Sequence, residues 1–185
     1  MVAFAEEKLT VSEFFDLDVK EGYIYELING DIMRRTSPNL EHQEASANLH
    51  FALMSFIKPK NLGKIYAAPM DVYLSGVDLV VPDLVFVEKD NPATLSPNKC
   101  IIGVPDLIVE ILSKGTKSVD RGIKMKQYRA AQVPEYWIVD PRLQSIEVYE
   151  WTPTGYELIS SAEEIGEIIS KVLPDFKLEV ATLFN

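Results

Sequence analysis

The sequence predicts a mixed-sheet α/β or α+β domain, with helices flanking the sheet and additional β-hairpins around it. Three observations favour this class: a long apolar repeat at helical spacing, several short apolar runs of strand length, and turn dipeptides between paired runs. The chain has 185 residues, enough to bury a core without metals or disulfides. Because no internal repeat or Gly/Ser linker divides it, we expect residues 1–185 to form a single domain.

The N-terminal part is expected to contain a short helix, a hairpin and a long helix. The segment "TVSEFFDL" predicts the short helix, with Thr10 or Ser12 as its cap. The Asn-Gly dipeptide in "YIYELINGDIMRR" predicts the turn of a hairpin. In "SPNLEHQEASANLHFALMSFI" the apolar residues recur at helical spacing, which predicts an amphipathic helix that Ser37 caps and Pro38 begins.

The remainder reads mainly as strands. We predict strands at "KIYAAP", "DVYLSG", "DLVFVE", "DLIVEIL", "EYWIVD", "SIEVYEW" and "GYELIS", with a loop over about 89–99. A helix is expected over 118–131, capped by Ser118 or by Asp120. The C-terminal "DFKLEVATLF" predicts a helix or a strand followed by a helix.

Composition limits the partners and the compartment. The net charge of −10 argues against a broad non-specific grip on nucleic acid, although it allows a local basic patch. No apolar run approaches the roughly 20 residues that span a bilayer, and the N-terminus lacks the features of a signal peptide. We therefore expect a cytoplasmic protein with no membrane partner. The single cysteine, Cys100, excludes an internal disulfide.

A carboxylate lies inside one of the most apolar strands, "DLIVEIL". Side chains alternate along a strand, so Ile108, Glu110 and Leu112 share one face. A run this apolar is typical of a strand covered on both faces. Burying an unpaired charge is very costly, so we expect Glu110 to be paired, protonated or bound to a metal.

A second acid, Asp83, follows Pro82 at the start of the strand "LVFV". If the two strands are neighbours, the carboxylates of Asp83 and Glu110 can converge on one hard cation, and Mg²⁺ suits such a pair. The alternative is that each acid is a strand-edge or capping residue paired with a nearby Lys or Arg. Asp106, in a second "VPD", reads as a residue leading into its strand, but it also rivals Asp83 for the site.

The predicted helix after Glu110 carries Asp120, Lys124 and Tyr128 at spacings of four, which place them on nearly one face. A solvated charged face is the ordinary interpretation of such a helix. However, the short loop before it should bring this helix near the Glu110 strand, so the Lys124 ammonium can reach the carboxylates.

These motifs together resemble a known family. "VPDLVFV", "PDLIVEIL", the spacing of Ser113, Asp120, Lys124 and Tyr128, and "VPEYWIVDP" look like the Uma-type "putative restriction endonuclease" family of the PD-(D/E)xK superfamily. "YELINGDI", with Glu26, and "SPNLEHQ", with a histidine, extend the resemblance into the N-terminal half.

The resemblance implies a metal-dependent endonuclease acting on DNA. Asp83, Glu110 and the carbonyl of Ile111 would bind Mg²⁺ or Mn²⁺. Leu112 occupies the position where the superfamily usually has its lysine, so Lys124 on the following helix would take that role, as an ammonium that orients water and neutralises charge. The supporting residues implied in this way are Glu26, His42, Asp120 and Tyr128. The resemblance also implies a homodimer, which would suit cutting two strands.

Two other functions stay open. A catalytically inactive nuclease-fold interaction protein would suit the acidic composition, and a metal-dependent hydrolase of small phosphate esters would use the same site. The sequence has no P-loop, Rossmann glycine pattern or HExxH motif. If DNA is the substrate, we expect its grip to come from a basic cluster comprising Lys114, Lys117, Arg121, Lys124, Lys126 and Arg129.

Overall fold

The computed structural model describes residues 8–20, 22–35, 37–95, 100–113 and 119–184. They form a mixed α/β arrangement of two large sheets and few helices, which confirms the predicted class. None of the helices in these ranges is long and apolar enough to cross a membrane.

The first sheet is built largely from hairpins. Its strands, in order across the sheet, are β2 (Asp31–Arg35), β1 (Ile24–Ile28), β5 (Asp78–Val80), β4 (Val72–Ser75), β8 (Ile101–Ile102) and β7 (Thr94–Leu95). Among the described pairings of this first sheet, only β4–β8 is parallel. The sequence analysis missed β5, because its residues run into the apolar segment before Pro82, and it placed β7 in a loop.

The second sheet holds the two acids singled out above. In order across it lie β12 (Gly155–Glu163), β11 (Ser145–Thr152), β10 (Glu135–Asp140), β9 (Leu107–Ile111), β6 (Leu84–Glu88) and β3 (Gly63–Ala67). β9 runs parallel to β10 and antiparallel to β6, so it is paired on both edges. A small third sheet pairs β13 (Glu167–Ile169), which the sequence analysis missed, with β14 (Lys177–Glu179). A 3₁₀ helix, Val180–Leu183, follows β14, as the strand-then-helix alternative predicted.

The N-terminal elements form largely as predicted. Thr10 caps α1 (Val11–Phe15) in a reciprocal capping box with Glu13, which decides between the two candidate caps. The β1–β2 turn has positive φ at Asn29 (51°) and Gly30 (76°). A Cβ at Gly30 would lie 2.6 Å from the Cβ of Lys8, so the position requires glycine.

The long helix α2 spans Leu40–Lys60 and begins later than predicted. Asn39 is its N-cap, and the Asn39 side chain accepts a hydrogen bond from the His42 backbone. Ser37 and Pro38 therefore precede the helix. The Asn39 side chain stabilises the helix start because it accepts a hydrogen bond from an N–H group of the first turn, whereas proline at N1 only lacks such a group.

The predicted helix over 118–131 is split into two forms. A π-helical turn, Val119–Lys124, leads into α3 (Met125–Ala130). Asp120 is buried inside the π turn, so it does not cap the helix, and Ser118 lies outside the described residues. Single π turns often occur at functional sites.

Two cores lie on the two faces of the second sheet. On one face α2 packs through Leu49 and Leu53 against a cluster that includes Val109. On the other face the first sheet and α3 cover a cluster that includes Ile108 and Leu112. β9 is therefore buried on both faces, as its composition predicted, and Glu110 projects from the face covered by the first sheet and α3.

Candidate active site at the junction of the two sheets

Asp83 and Glu110 face each other across neighbouring strands. The β6–β9 register pairs Leu84 with Val109, and continuing it by one residue sets Asp83 opposite Glu110. Opposed residues of an antiparallel pair lie on the same face with their Cβ atoms about 4.5–5.5 Å apart. The two acids thus lie side by side at the end of β6, as the sequence analysis expected if the strands were neighbours.

Three donors hold Asp83. The Ile111 backbone N–H donates to Oδ2 over 2.7 Å, and Nε2 of His42 lies 3.2 Å from the same oxygen. Nη2 of Arg35 donates to Oδ1 over 3.1 Å. Burial alone would raise the pKa of Asp83, but the His42 contact, the Arg35 charge and the Ile111 N–H together lower it below its ordinary value. Asp83 is therefore held as a carboxylate.

Glu110 is completely buried, and its two oxygens have different surroundings. Oε1 accepts hydrogen bonds from Lys124 Nζ at 2.9 Å and from the Tyr128 hydroxyl at 2.6 Å. Oε2 has no hydrogen-bond partner among the described residues, and Nη2 of Arg35 lies 3.6 Å from it. Burial raises the pKa of Glu110 to about 8, with Asp120 and Asp83 adding to the rise and Lys124 and Arg35 opposing it.

Lys124 reaches this cluster from the π turn and is only 1% exposed. Its Nζ lies 2.8 Å from Oε1 of Glu26, 2.9 Å from Glu110 and 3.8 Å from Oδ1 of Asp120. Burial alone would lower the pKa of Lys124, but the Glu110 and Glu26 charges raise it above its ordinary value. Lys124 is therefore an ammonium. It contacts Oε1 of Glu110, whereas Arg35 lies near Oε2.

Glu26 ties the first sheet into the same cluster. It projects from β1, where its Oε1 accepts the Val81 N–H at 2.8 Å and also contacts Lys124. The structure thus brings together all the site residues expected from the sequence: Asp83, Glu110, Ile111, Lys124, Glu26, His42, Asp120 and Tyr128.

Arg35, on β2, is the site residue that the sequence analysis missed. Its guanidinium touches both Asp83 and Glu110, and Nη1 donates to the Val81 carbonyl. The β1–β2 register pairs Glu26 with Met33, and alternation then puts Arg35 on the same face as both. That period of two within "DIMRR" was the available signal.

Asp106, the rival to Asp83, belongs to a different structure. It accepts hydrogen bonds from the Glu88 backbone at 2.6 Å and from Asn91 Nδ2 at 2.7 Å. These contacts lie at the far end of β6 from Asp83, and they fix the segment that follows this strand. Asp106 is therefore a structural residue leading into β9, which was its simpler interpretation.

The expected basic cluster does not form among the described residues. Lys124 is enclosed by carboxylates, Arg121 pairs with Glu147 at 2.5 Å, and Arg129 donates to the Thr154 carbonyl at 2.8 Å. Lys126 is exposed on α3, and both Lys114 and Lys117 lie outside the described residues. The four side chains of this set that the structure describes therefore do not form the joint DNA-binding surface that was expected.

A cleft of about 230 Å³ opens beside Asp83. Arg35, His42 and Asp83 line it from the site, and Gln43 and Ser46 line it from the first two turns of α2. Glu110 and Lys124 are not among its lining residues, so they lie behind Asp83 and Arg35 as seen from solvent. An incoming ligand would therefore meet Asp83 and Arg35 first.

The residues present fit a magnesium-type ion better than a caged metal. No group of three or more His, Cys, Asp or Glu side chains within the described ranges is arranged to hold a metal on its own. Mg²⁺, however, commonly uses one or two carboxylates and takes its remaining ligands from water and phosphate. Asp83 and Glu110 supply such a pair, and the Glu110 Oε2 atom is buried without a hydrogen bond from any described residue.

Comparison with known proteins identifies a shared fold and a family. No curated protein matches the chain. Among solved structures, the crystal structure of a "putative nuclease belonging to DUF820" from Anabaena variabilis ATCC 29413 superposes with a TM-score of 0.77 at 21% sequence identity, covering 95% of this chain and 97% of that one. The likeness shows a shared fold. The Uma2 family, described as "Putative restriction endonuclease", matches residues 11–181, and the chain therefore belongs to this family.

Proposed function

We propose that the protein is a metal-dependent endonuclease that hydrolyses phosphodiester bonds of DNA, with residues 1–185 acting as one nuclease-like domain. Membership of a family described as "Putative restriction endonuclease" supports the reaction class. The observation that carries the proposal is the pairing of Asp83 and Glu110 on adjacent strands, both buried and backed by Lys124. Charges held at such a cost are typical of functional sites.

Mg²⁺ or Mn²⁺ would be held by Asp83 and Glu110, with the Ile111 carbonyl as a further oxygen ligand. A bound divalent cation supplies charge stabilisation at the phosphate and makes water a better nucleophile at neutral pH. The remaining chemistry belongs to the chain's own side chains.

The surrounding residues fix the two carboxylates. The Ile111 N–H and His42 hold Oδ2 of Asp83, which directs Oδ1 towards Arg35. Lys124 and Tyr128 hold Oε1 of Glu110 and leave Oε2 on the Asp83 side. Lys124 thus positions Glu110 and opposes the effect of burial on its pKa, and we propose that it also neutralises charge that develops on the phosphate.

Binding of DNA by so acidic a chain needs a local attraction. Arg35 lines the cleft with its side chain 10% exposed, and the N-terminal turns of the 21-residue helix α2 also line it. Both features favour phosphate at this place. We further propose that two copies of the chain act together on the two strands, which size-exclusion chromatography of the full chain would test.

Cleavage of supercoiled plasmid and of single-stranded DNA with Mg²⁺ or Mn²⁺ tests the proposal. Asp83→Asn and Glu110→Gln should each lower the cleavage rate by at least about a hundredfold. Asp106→Asn is the matched control, since Asp106 directly precedes β9 and lies outside the site, and this variant should cut at the wild-type rate. If Asp83→Asn and Glu110→Gln both cut at the wild-type rate, as the control does, the assignment is refuted. A chain that neither cuts nor binds Mn²⁺ by calorimetry would instead be a nuclease-fold interaction protein.

A further inference from the structure

The oxygens of Asp83 and Glu110 divide into two sets. Oδ2 of Asp83 is engaged by the Ile111 N–H and lies next to His42, and Oε1 of Glu110 is engaged by Lys124 and Tyr128. The other two oxygens, Oδ1 of Asp83 and Oε2 of Glu110, both face one atom, Nη2 of Arg35, at 3.1 and 3.6 Å. A single guanidinium nitrogen therefore lies where the two carboxylates converge.

An ion shared by the two carboxylates must use the oxygens that other residues leave to it. Those are the same two oxygens that Arg35 contacts. A cation within about 2.1 Å of both oxygens, as Mg²⁺ requires, competes with Nη2 for the same two oxygens. Two positive charges at this distance would also repel each other strongly in a buried site.

We propose that Arg35 is the resident counter-ion of the metal-free site and that a divalent cation and the Arg35 guanidinium occupy the carboxylate pair alternately. This inference rests on the proposed function, because it takes the metal site of that proposal as given. When the ion binds, the guanidinium leaves the pair and turns into the cleft that Arg35 already lines, beside His42 and the start of α2. There it meets the space a substrate phosphate would fill, so metal binding prepares the phosphate-binding side of the site.

The anchoring of Arg35 is compatible with such a movement. Among the described residues, Nη1 donates to the Val81 carbonyl, which is a neutral acceptor. The two charged contacts of Arg35 are both made by Nη2, so their loss is offset by one event, the arrival of a cation on the same oxygens. Lys124, by contrast, contacts Oε1 of Glu110 and Oε1 of Glu26 and does not compete for the pair.

Metal binding to the full-length chain, measured without DNA by Mn²⁺ electron paramagnetic resonance or calorimetry, tests the inference. Arg35→Gln should bind Mn²⁺ at least about tenfold more tightly than wild type, because the charged hydrogen bond that the ion must displace is gone. Arg34→Gln is the matched control. Arg34 lies next to Arg35 on the other face of β2, exposed and stacked over Tyr23, so its removal changes the net charge equally but should leave affinity within about twofold.

A second measurement uses the unmutated chain and therefore does not depend on the folding of a variant. The Arg35 Nε–H signal in ¹⁵N-resolved NMR, assigned by its absence in Arg35→Gln or Arg35→Lys, should move and exchange faster with solvent as Mg²⁺ saturates the site. The Arg34 signal should stay in place.

The outcomes separate the inference from the function it rests on. Wild-type Mn²⁺ binding with equal or weaker binding by Arg35→Gln overturns the inference and leaves the metal site standing. An Arg35 signal unchanged at saturating Mg²⁺ overturns it as well. Absence of Mn²⁺ binding from wild type and Arg35→Gln alike overturns both the inference and the proposed metal site. Tighter binding by Arg35→Gln together with a displaced Arg35 signal supports alternate occupancy.

Discussion

Replacing Lys124 by methionine is the change that should disturb the buried cluster most. Lys124 is enclosed by three acids, with Nζ at 2.8 Å from Glu26, 2.9 Å from Glu110 and 3.8 Å from Asp120. Methionine nearly keeps the length of the side chain but removes the charge. Arg35 would remain as the cation beside Glu110, and the acids would tend to take up protons.

The size of the effect follows from the burial. Removing one partner of a buried ion pair costs about 3–5 kcal/mol, because the other charge stays behind without compensation. For a chain of this length each kcal/mol lowers Tm by about 2–4 °C, so Lys124→Met should melt roughly 6–20 °C below wild type. Glu110→Gln should change the free energy of unfolding by less than about 1.5 kcal/mol, since Lys124 keeps Glu26 and the repulsion from Asp83 and Asp120 is relieved.

Urea and thermal unfolding followed by circular dichroism in EDTA would measure both variants. The matched control is Lys126→Met, an exposed lysine on the adjoining helix, which should stay within about 0.5 kcal/mol of wild type. The double variant Lys124→Met/Glu110→Gln should be more stable than Lys124→Met alone. If Lys124→Met is as stable as wild type, or if Glu110→Gln loses as much as Lys124→Met, the reasoning from charge balance is wrong.

The remaining predictions concern hydrogen bonds and the cofactor. Tyr128→Phe removes the 2.6 Å hydrogen bond to Glu110 and should cost about 1.5–3 kcal/mol by urea unfolding; an unchanged midpoint would contradict it. Glu135, buried outside the site, accepts the N–H groups of Lys171 and Val172 on Oε2. Glu135→Gln should therefore lower the free energy of unfolding by about 2–4 kcal/mol, while the folded protein cuts at the wild-type rate. A loss of cleavage by the folded protein would show that Glu135 has a role in the site. EDTA should abolish plasmid cleavage, and added Mg²⁺ or Mn²⁺ should restore it; cleavage that persists in EDTA would rule out the metal mechanism.

Local patterns predicted the parts of the site that lie on one strand or one helix. Alternation along "DLIVEIL" assigned Glu110 to the face it occupies, and the spacing of four assigned Lys124 and Tyr128 to nearly one face of the helix, which is buried in the structure. These succeed because strand and helix periods fix side-chain direction whatever the rest of the fold does. The family resemblance then supplied Glu26 and His42, whose partners no local rule identifies.

Long-range pairing decided what the sequence left out. Arg35 contacts Asp83, which is 48 residues away and leads into the other sheet. The sequence near Arg35 therefore did not indicate which residue its inward-pointing side chain would contact. The start of α2 was misplaced because Ser37 and Asn39 are both good caps, and the choice depends on where the chain leaves β2. The π turn at Val119–Lys124 has no compositional signature, since it comes from fitting Lys124 and Asp120 into one buried cluster.

The β1–β2 hairpin supplies both Glu26 and Arg35, so the contact between the two sheets is partly made of the same ionic groups as the proposed active site. This has an evolutionary meaning. On the proposed function, a lineage that no longer needed cleavage could replace Glu110 with little loss of stability, whereas the loss of Lys124 would weaken the contact between the two sheets. Retained basic residues in a relative are therefore poor indicators that it still cuts. Glu110 is the more informative position, because its replacement by glutamine is expected to cost little stability, so selection for folding alone would not retain the acid.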